Sequence, residues 1–200
     1  MDEYIRIILE FEKDTVYSPS KIASKLLELY PELGNEIILP IDMNQENSVQ
    51  APIFIFQQNP DFQITGNFYN IIITVSEKYF KNVENIVKNI FEMFKSISDF
   101  SALACIFQKA LGQNKISEMK NKFLNVSSIQ ESDNVQINML RYIEISKIST
   151  RCLEGYATTD DNLLSHFEFN MKRDEGRRIS YDCFLKFYNE CVKYMDERKF

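Results

Sequence analysis

The sequence has no tryptophan, one histidine and only five glycines in 200 residues. It also contains no G-x-x-x-x-G-K-[ST], G-x-G-x-x-G, G-x-S-x-G or H-E-x-x-H segment. Those segments build phosphate-binding loops, dinucleotide-binding turns, the nucleophile turn of α/β-hydrolases and the zinc-binding helix of metalloproteases, respectively. Their absence disfavours the most common enzyme classes, and the sequence predicts no cofactor.

The four cysteines have no C-x-x-C spacing, so we interpret them as reduced thiols packed in the core, and no metal site is predicted. Long apolar runs are missing as well. The run from Ile71 to Val75 is interrupted by Thr74 and is far shorter than the roughly 20 residues of a membrane-spanning helix. The charged start Met1-Asp2-Glu3 does not resemble a signal peptide. These features predict a cytoplasmic protein that does not contact a membrane.

The net charge of −6 is distributed unevenly along the chain. Residues 1–99 contain 8 Lys and Arg against 15 Asp and Glu, whereas residues 100–200 contain 15 against 14. An acidic half repels the phosphate backbone of nucleic acids, so direct nucleic-acid binding is disfavoured. The acidic surface suits a basic protein partner, and it is equally typical of a surface that only keeps a protein in solution.

An apolar content of 44% is typical of a folded chain, and its pattern predicts an α+β fold with antiparallel sheets backed by helices. Strand-like alternation or continuous apolar runs occur in seven segments: Tyr4 to Phe11, Ile53 to Gln57, Phe62 to Thr65, Tyr69 to Val75, Val135 to Ile148, Arg151 to Thr158 and Leu163 to Met171. Helical spacing predicts four helices: one that begins at Pro19 after the N-cap Ser18, then Asn82 to Lys95, Ile116 to Phe123 and Ser180 to Lys193. The segment from Ser101 to Gln108 is ambiguous between strand and helix, and we favour a strand.

The order strand, helix, three strands, helix occurs twice, which predicts two halves, residues 1–99 and 100–200, packed as one compact unit. A shift of 101 residues places the apolar stripe of the helix at Val83 onto that of the helix at Phe184, in phase. An internal duplication would explain why neither half alone has enough apolar residues for a good core. Because amphipathic helices align easily with one another, independent origins of the halves stay open.

The only histidine belongs to a polar strand face that also carries Glu168 and Asn170. If the segment around Arg151 to Thr158 pairs with this strand, we expect Glu154 and Tyr156 to share the face with His166. An imidazole beside carboxylates is what a metal site or an acid–base pair requires. It is also typical of a sheet face exposed to solvent or to a partner, so catalysis, binding and simple exposure all remain open.

Basic and aromatic residues mark two candidate binding segments. The connection before the last helix contains Lys172, Arg173, Arg177 and Arg178 around two acids, and it could hold an anion or an acidic partner segment. It could equally be a plain connecting loop. Arg141 interrupts the apolar positions of the longest strand, where it either extends to solvent at the sheet end or marks a bulge. We group Arg141 with Tyr142 and Tyr156 as further candidate contacts.

The layout resembles a sporadically distributed family of uncharacterised bacterial proteins. The segment Leu140-Arg141-Tyr142-Ile143-Glu144 is similar to the family's L-R-Y-[IR]-N strand in letters, and Ala104 to Gln108 is similar to it in position. The tryptophan that the family has near Tyr79-Phe80 is absent here. The resemblance implies no particular activity, but the patchy distribution of the family is that of phage, mobile-element and defence genes.

We therefore expect a non-enzymatic interaction protein of a phage or of a bacterial defence or counter-defence system, which binds a protein partner through its surface. The alternative is a small metal-dependent hydrolase or nuclease that uses His166, Glu168 and Glu154. A third possibility is a small-ligand sensor with a pocket between the two halves. The sequence does not determine the oligomeric state.

Overall fold

The computed structural model describes residues 3–12, 18–33, 54–56, 60–67, 69–95, 99–124, 134–159, 162–171 and 178–198. Eight strands lie in these ranges: β1 Tyr4–Phe11, β2 Phe54–Ile55, β3 Phe62–Gly66, β4 Asn70–Ser76, β5 Phe100–Ala110, β6 Gln136–Ile145, β7 Ile148–Thr158 and β8 Leu163–Met171. The α-helices of the same ranges are α1 Pro19–Leu29, α2 Val83–Phe94, α3 Ile116–Phe123 and α4 Tyr181–Asp196. Short 3-10 helices cover Pro31–Leu33, Glu77–Asn82 and Gln113–Lys115.

All eight strands form one antiparallel sheet in the order β2-β3-β4-β1-β5-β8-β7-β6. The predicted fold class, α+β with antiparallel pairing backed by helices, is confirmed. The strands of both halves join through the β1–β5 pair, in which Ile7 lies opposite Cys105. The two sets of strands therefore share a single sheet.

The sheet has one face covered by helices and one face without them in the described residues. We call the face that carries Ile7 and Phe169 the inner face, and the face that carries Arg6 and His166 the outer face. Alternation in β1 buries Ile5, Ile7, Leu9 and Phe11 on the inner face, as period-two patterning requires. Buried side chains from all four helices complete this core: Leu26, Val87, Met119 and Phe184.

The central position of β5 explains why its sequence was ambiguous. Ala102 and Ile106 on the outer face are each only 8% exposed, and Leu103 and Cys105 on the inner face are buried as well. A strand that is buried on both faces has a nearly continuous apolar run and loses the alternation that identifies strands. The predicted strand from Ser101 to Gln108 is confirmed, and it extends from Phe100 to Ala110.

The strand order has the same layout on both sides of the β1–β5 pair. Outward from the centre, β1 is followed by β4, β3 and β2, and β5 is followed by β8, β7 and β6. The equivalence is topological. Duplication of an ancestral unit and the division at residues 99 and 100 stay predictions.

The hairpin between β6 and β7 corrects the predicted long strand from Val135 to Ile148. Ser146 and Lys147 have positive φ angles of 52° and 62°, which is the backbone of a two-residue type I′ turn. The chain therefore reverses two residues before Ile148, and β7 begins at Ile148 rather than at Arg151. This turn sets the register of β6 against β7, with Ile145 opposite Ile148.

Candidate functional site

His166 and Glu168 lie on the outer face, as predicted, near the middle of the sheet. His166 lies between Gln108 of β5 and Gly155 of β7. Its Nε2 is 3.9 Å from Glu168 Oε2, and the two side chains are 32% and 27% exposed. Burial lowers the pKa of His166, and the carboxylate of Glu168 opposes this effect. Asn170 Nδ2 donates a hydrogen bond of 2.6 Å to Glu168 Oε1, which engages this carboxylate further.

Glu154 and Tyr156 do not share this face, so the predicted grouping of His166, Glu168 and Glu154 is wrong. In the β7–β8 pair Glu154 lies opposite Phe167, which is an inner-face residue. Residues that pair directly across an antiparallel ladder point to the same side of the sheet. The sheet therefore separates Glu154 from His166. Within the described ranges, no three His, Cys, Asp or Glu side chains are grouped so that they could hold one metal ion.

Glu154 instead forms a buried ionic cluster with two arginines and a tyrosine. Its side chain is 4% exposed and lies 3.2 Å from Arg198 Nη1 and 3.4 Å from Arg141 Nε. The hydroxyl of Tyr156 donates to Glu154 Oε1 at 2.9 Å. Two guanidinium groups and a hydroxyl thus surround this buried carboxylate, because a charge shielded from water needs such partners.

The same cluster explains Arg141, whose position in an apolar pattern left two interpretations open. The β6–β7 register runs without a shift from Gln136 to Ile145, so there is no bulge at Arg141. Arg141 lies on the inner face, where its guanidinium reaches the buried carboxylate of Glu154. The sequence did not identify Arg198, because nothing near the end of α4 indicates that the helix places it beside β7.

Two further predicted contact residues, Tyr142 and Arg178, are described and lie outside this cluster. Tyr142 lies opposite Arg151 on the outer face and is 74% exposed. Arg178 pairs with Asp99 through Nη1 and Oδ2, which are 2.9 Å apart. Lys172, Arg173 and Arg177 lie outside the described residues. The described candidates therefore do not converge on one site.

The edge strand β6 has backbone groups beside which the described residues place no further strand. It is the last strand of the sheet and is ten residues long. Thr158 N–H donates to the Val135 carbonyl at 2.9 Å, and residues of an antiparallel strand direct their backbone groups alternately to either side. The odd-numbered residues of β6 therefore bond to β7. The even-numbered residues direct their N–H and C=O groups away from it: Gln136, Asn138, Leu140, Tyr142 and Glu144.

The buried thiol and phenol groups of this half predict that alkaline pH destabilises the fold. Burial raises the pKa of the Cys152 thiol from 9.0 to about 12, and burial also raises the pKa of Tyr156 and of Tyr188. A raised pKa means that the folded state keeps a proton that the unfolded state has lost. The stabilisation is complete below the unfolded pKa and is lost as the pH rises above it. Cys152 alone should lower the free energy of unfolding by about 1.4 kcal/mol per pH unit above its unfolded pKa.

Urea unfolding from about pH 8 to about pH 11 checks this prediction. We expect Cys152→Ala to flatten the decline, because alanine does not titrate. Ser149→Ala, an exposed substitution on the same strand that removes no titrating group, should leave the slope unchanged. A free energy of unfolding that stays constant over this range would contradict the prediction.

The chain matches no protein-family model. It also shows no significant similarity to a curated protein or to a solved structure. None of the helices in the described residues is long and apolar enough to cross a membrane. The family resemblance drawn from the sequence stays a prediction.

Proposed function

We propose that this protein is a non-enzymatic interaction protein that binds an extended segment of a protein partner along the free edge of β6. One observation carries the proposal: β6 is a ten-residue edge strand beside which the described residues place no further strand. An exposed edge offers a row of N–H and C=O groups to an incoming strand, which adds to the sheet by main-chain hydrogen bonds.

The side chains of β6 do little to block such pairing. Natural edge strands are protected by shortness, by inward-pointing charges, by bulges or by proline. β6 has a regular register and contains no proline, and its inward-pointing Arg141 pairs with the buried carboxylate of Glu154. On the outer face Leu140 is 53% exposed and Tyr142 is 74% exposed. These two side chains would lie beside alternate residues of the bound segment and select apolar ones.

Charge favours a partner other than a second copy of the chain. Each copy carries a net charge of −6 over the whole chain, and net charge of one sign on both molecules opposes self-association. A neutral or basic segment with apolar residues at every second position fits the edge better. A phage or bacterial defence or counter-defence setting and a cytoplasmic location belong to this proposal as its cellular context, and the neighbouring genes would test that context.

The alternative, a metal-dependent hydrolase or nuclease, lacks its proposed ligand set. His166 and Glu168 lie on one side of the sheet, and Glu154 lies on the other side within a cluster that neutralises it. A metal ion needs its ligands on a common side and within bonding distance. The geometry therefore favours binding over this catalytic mechanism.

The test uses two substitutions on the free edge of β6. Leu140→Pro removes an N–H that points away from β7, so the hydrogen bonds within the sheet remain while strand addition is blocked. Tyr142→Lys places a charge of the kind that protects natural edges. A partner recovered from the source cells with the wild-type protein would be identified, purified and titrated against each variant. We expect each variant to bind at least about tenfold more weakly.

Tyr69→Lys is the matched control, because Tyr69 is 51% exposed and lies outside β6. It should bind the partner like the wild type, and the melting temperature of each variant should show that the fold is retained. Equal binding by all variants, or the absence of any partner that binds the wild type, would refute the proposal. A dimer of the wild type that Leu140→Pro dissociates would show instead that the edge binds a second copy.

A further inference from the structure

A cavity of about 460 Å³ lies between the inner face of the sheet and the last turns of α4, apart from the outer edge of β6. Its floor is formed by β1, β5, β7 and β8, and the 3-10 helix at Glu77–Asn82 contributes Phe80 to its side. Ile5 and Phe80 come from the first half of the chain and Val192 from the second, so both halves line the cavity. The volume lies within the range of about 300–1,000 Å³ typical of pockets for small organic ligands.

The walls of the cavity are mainly apolar. Phe107 and Phe167 line it from the sheet, and Val192 and Met195 line it from α4. Such a surface gains free energy when an apolar ligand replaces water in contact with it. The cavity therefore suits the hydrocarbon part of a ligand.

One buried polar group points to a ligand with a hydrogen-bond acceptor. Tyr188 lines the cavity and is only 7% exposed. Its ring packs on Phe107 at a centroid distance of 5.7 Å, which holds the side chain in place. No hydrogen bond to the Tyr188 hydroxyl is found among the described residues. Buried hydroxyl groups are normally hydrogen-bonded. The unpaired hydroxyl of Tyr188 can therefore donate to an acceptor in the cavity.

The charge at the cavity is opposite in sign to that of the whole chain. The described residues that line the cavity include three cations, Lys109, Lys115 and Arg198, and one carboxylate, Asp196. Arg198 shares the carboxylate of Glu154 with Arg141, and Lys115 pairs with Glu118, whose Oε2 is 2.7 Å from Lys115 Nζ. Lys109 is exposed and has no ion-pair partner among the described residues. When Asp196 and the second arginine of the Glu154 cluster are counted as well, these groups leave one net positive charge, which suits a monoanion.

We propose that this cavity binds an amphipathic carboxylic acid. Its chain or ring packs against Phe107, Phe167 and Val192, and its carboxylate pairs with the ammonium group of Lys109. The hydroxyl of Tyr188 donates a hydrogen bond to an oxygen of the same ligand. A phosphate or a polyanion fits less well, because one net positive charge and an apolar wall cannot satisfy several charged oxygens.

The test compares ligands that share a hydrocarbon part and differ in the head group. Octanoate, octanol and octylammonium are titrated separately into the wild-type protein by calorimetry, and 3-phenylpropionate is added as a second acid. We expect octanoate or 3-phenylpropionate to bind and to raise the melting temperature, as a ligand of the folded state does. Octanol should bind at least about tenfold more weakly than octanoate, and octylammonium more weakly still.

Two variants locate the binding. Lys109→Glu reverses the charge of an exposed side chain, and we expect it to weaken binding of the acid about tenfold without lowering the melting temperature. Tyr188→Phe keeps the ring and removes the hydroxyl, so binding should weaken several-fold. Lys186→Glu, which makes the same charge change on α4 outside the cavity, is the control and should bind the acid like the wild type.

Three outcomes would overturn the proposal: no binding of either acid, equal affinity for octanoate and octanol, or equal weakening by Lys109→Glu and Lys186→Glu. None of them bears on the edge of β6, because the Leu140 and Tyr142 variants do not alter the cavity. The two proposals can therefore fail independently.

Discussion

Phe100→Ala is expected to lower the free energy of unfolding by about 3–5 kcal/mol, the largest effect we predict for a single substitution. Phe100 is 2% exposed and begins β5 at the junction of the two halves. Its ring packs against three others at centroid distances of 5.0 to 5.8 Å, namely Phe91, Phe11 and Phe94. The substitution removes these contacts and leaves a cavity that the rigid strand β1 and helix α2 cannot fill.

Urea unfolding, followed by far-ultraviolet circular dichroism and by tyrosine fluorescence, measures this loss. Phe100 joins β1, β5 and α2. If the two halves unfold together, circular dichroism and tyrosine fluorescence should still report one transition. Tyr69→Ala removes an exposed aromatic side chain and should change the free energy by less than about 0.5 kcal/mol. A loss below about 1 kcal/mol for Phe100→Ala would show that the junction does not carry the core.

Glu154→Ala is expected to lower the free energy of unfolding by about 2–3 kcal/mol. The substitution leaves the guanidinium groups of Arg141 and Arg198 facing each other without their carboxylate, and it leaves the buried hydroxyl of Tyr156 without its acceptor. The arginine side chains are 42% and 35% exposed, so water partly replaces the lost partner. The loss should therefore be smaller than the about 3–5 kcal/mol seen when a fully buried ion pair is broken.

Glu168→Ala on the outer face is the matched control, since Glu168 is 27% exposed and can be replaced by water. Its cost should stay below about 1 kcal/mol. A double-mutant cycle between Glu154→Ala and Arg198→Ala should give a coupling energy above about 0.5 kcal/mol. Equal costs for the two glutamates, or additive losses in the cycle, would contradict the cluster as described.

Local patterns in the sequence determined most of the elements. The strand from Tyr4 to Phe11 and the helix from Ile116 to Phe123 were predicted with the observed ends. The last helix was predicted to begin at Ser180, and in the structure α4 begins at Tyr181 with Ser180 as its N-cap, whose Oγ accepts a hydrogen bond of 3.2 Å from the Cys183 N–H. Alternation, helical spacing and capping act over a few residues, so the chain reveals them without its tertiary contacts.

The candidate sites required the tertiary structure. Alternation shows that Glu154 and Tyr156 share a face and that His166 and Glu168 share a face, but it does not show whether the two faces are the same. That choice depends on the β7–β8 register, in which even-numbered residues of β7 lie opposite odd-numbered residues of β8. A shift of one residue would have reversed the answer.

The sequence by itself therefore determined the α+β fold class, the order of the helices and strands, and which side chains of most of these elements form the apolar face. Only the tertiary structure decided that Glu154 meets Arg198, that β6 is an edge, and that a cavity opens beneath α4. The physical reason is the distance along the chain over which each interaction acts. Side-chain direction within one strand follows from its backbone, whereas contacts between strands and helices distant in sequence depend on how all of them pack together.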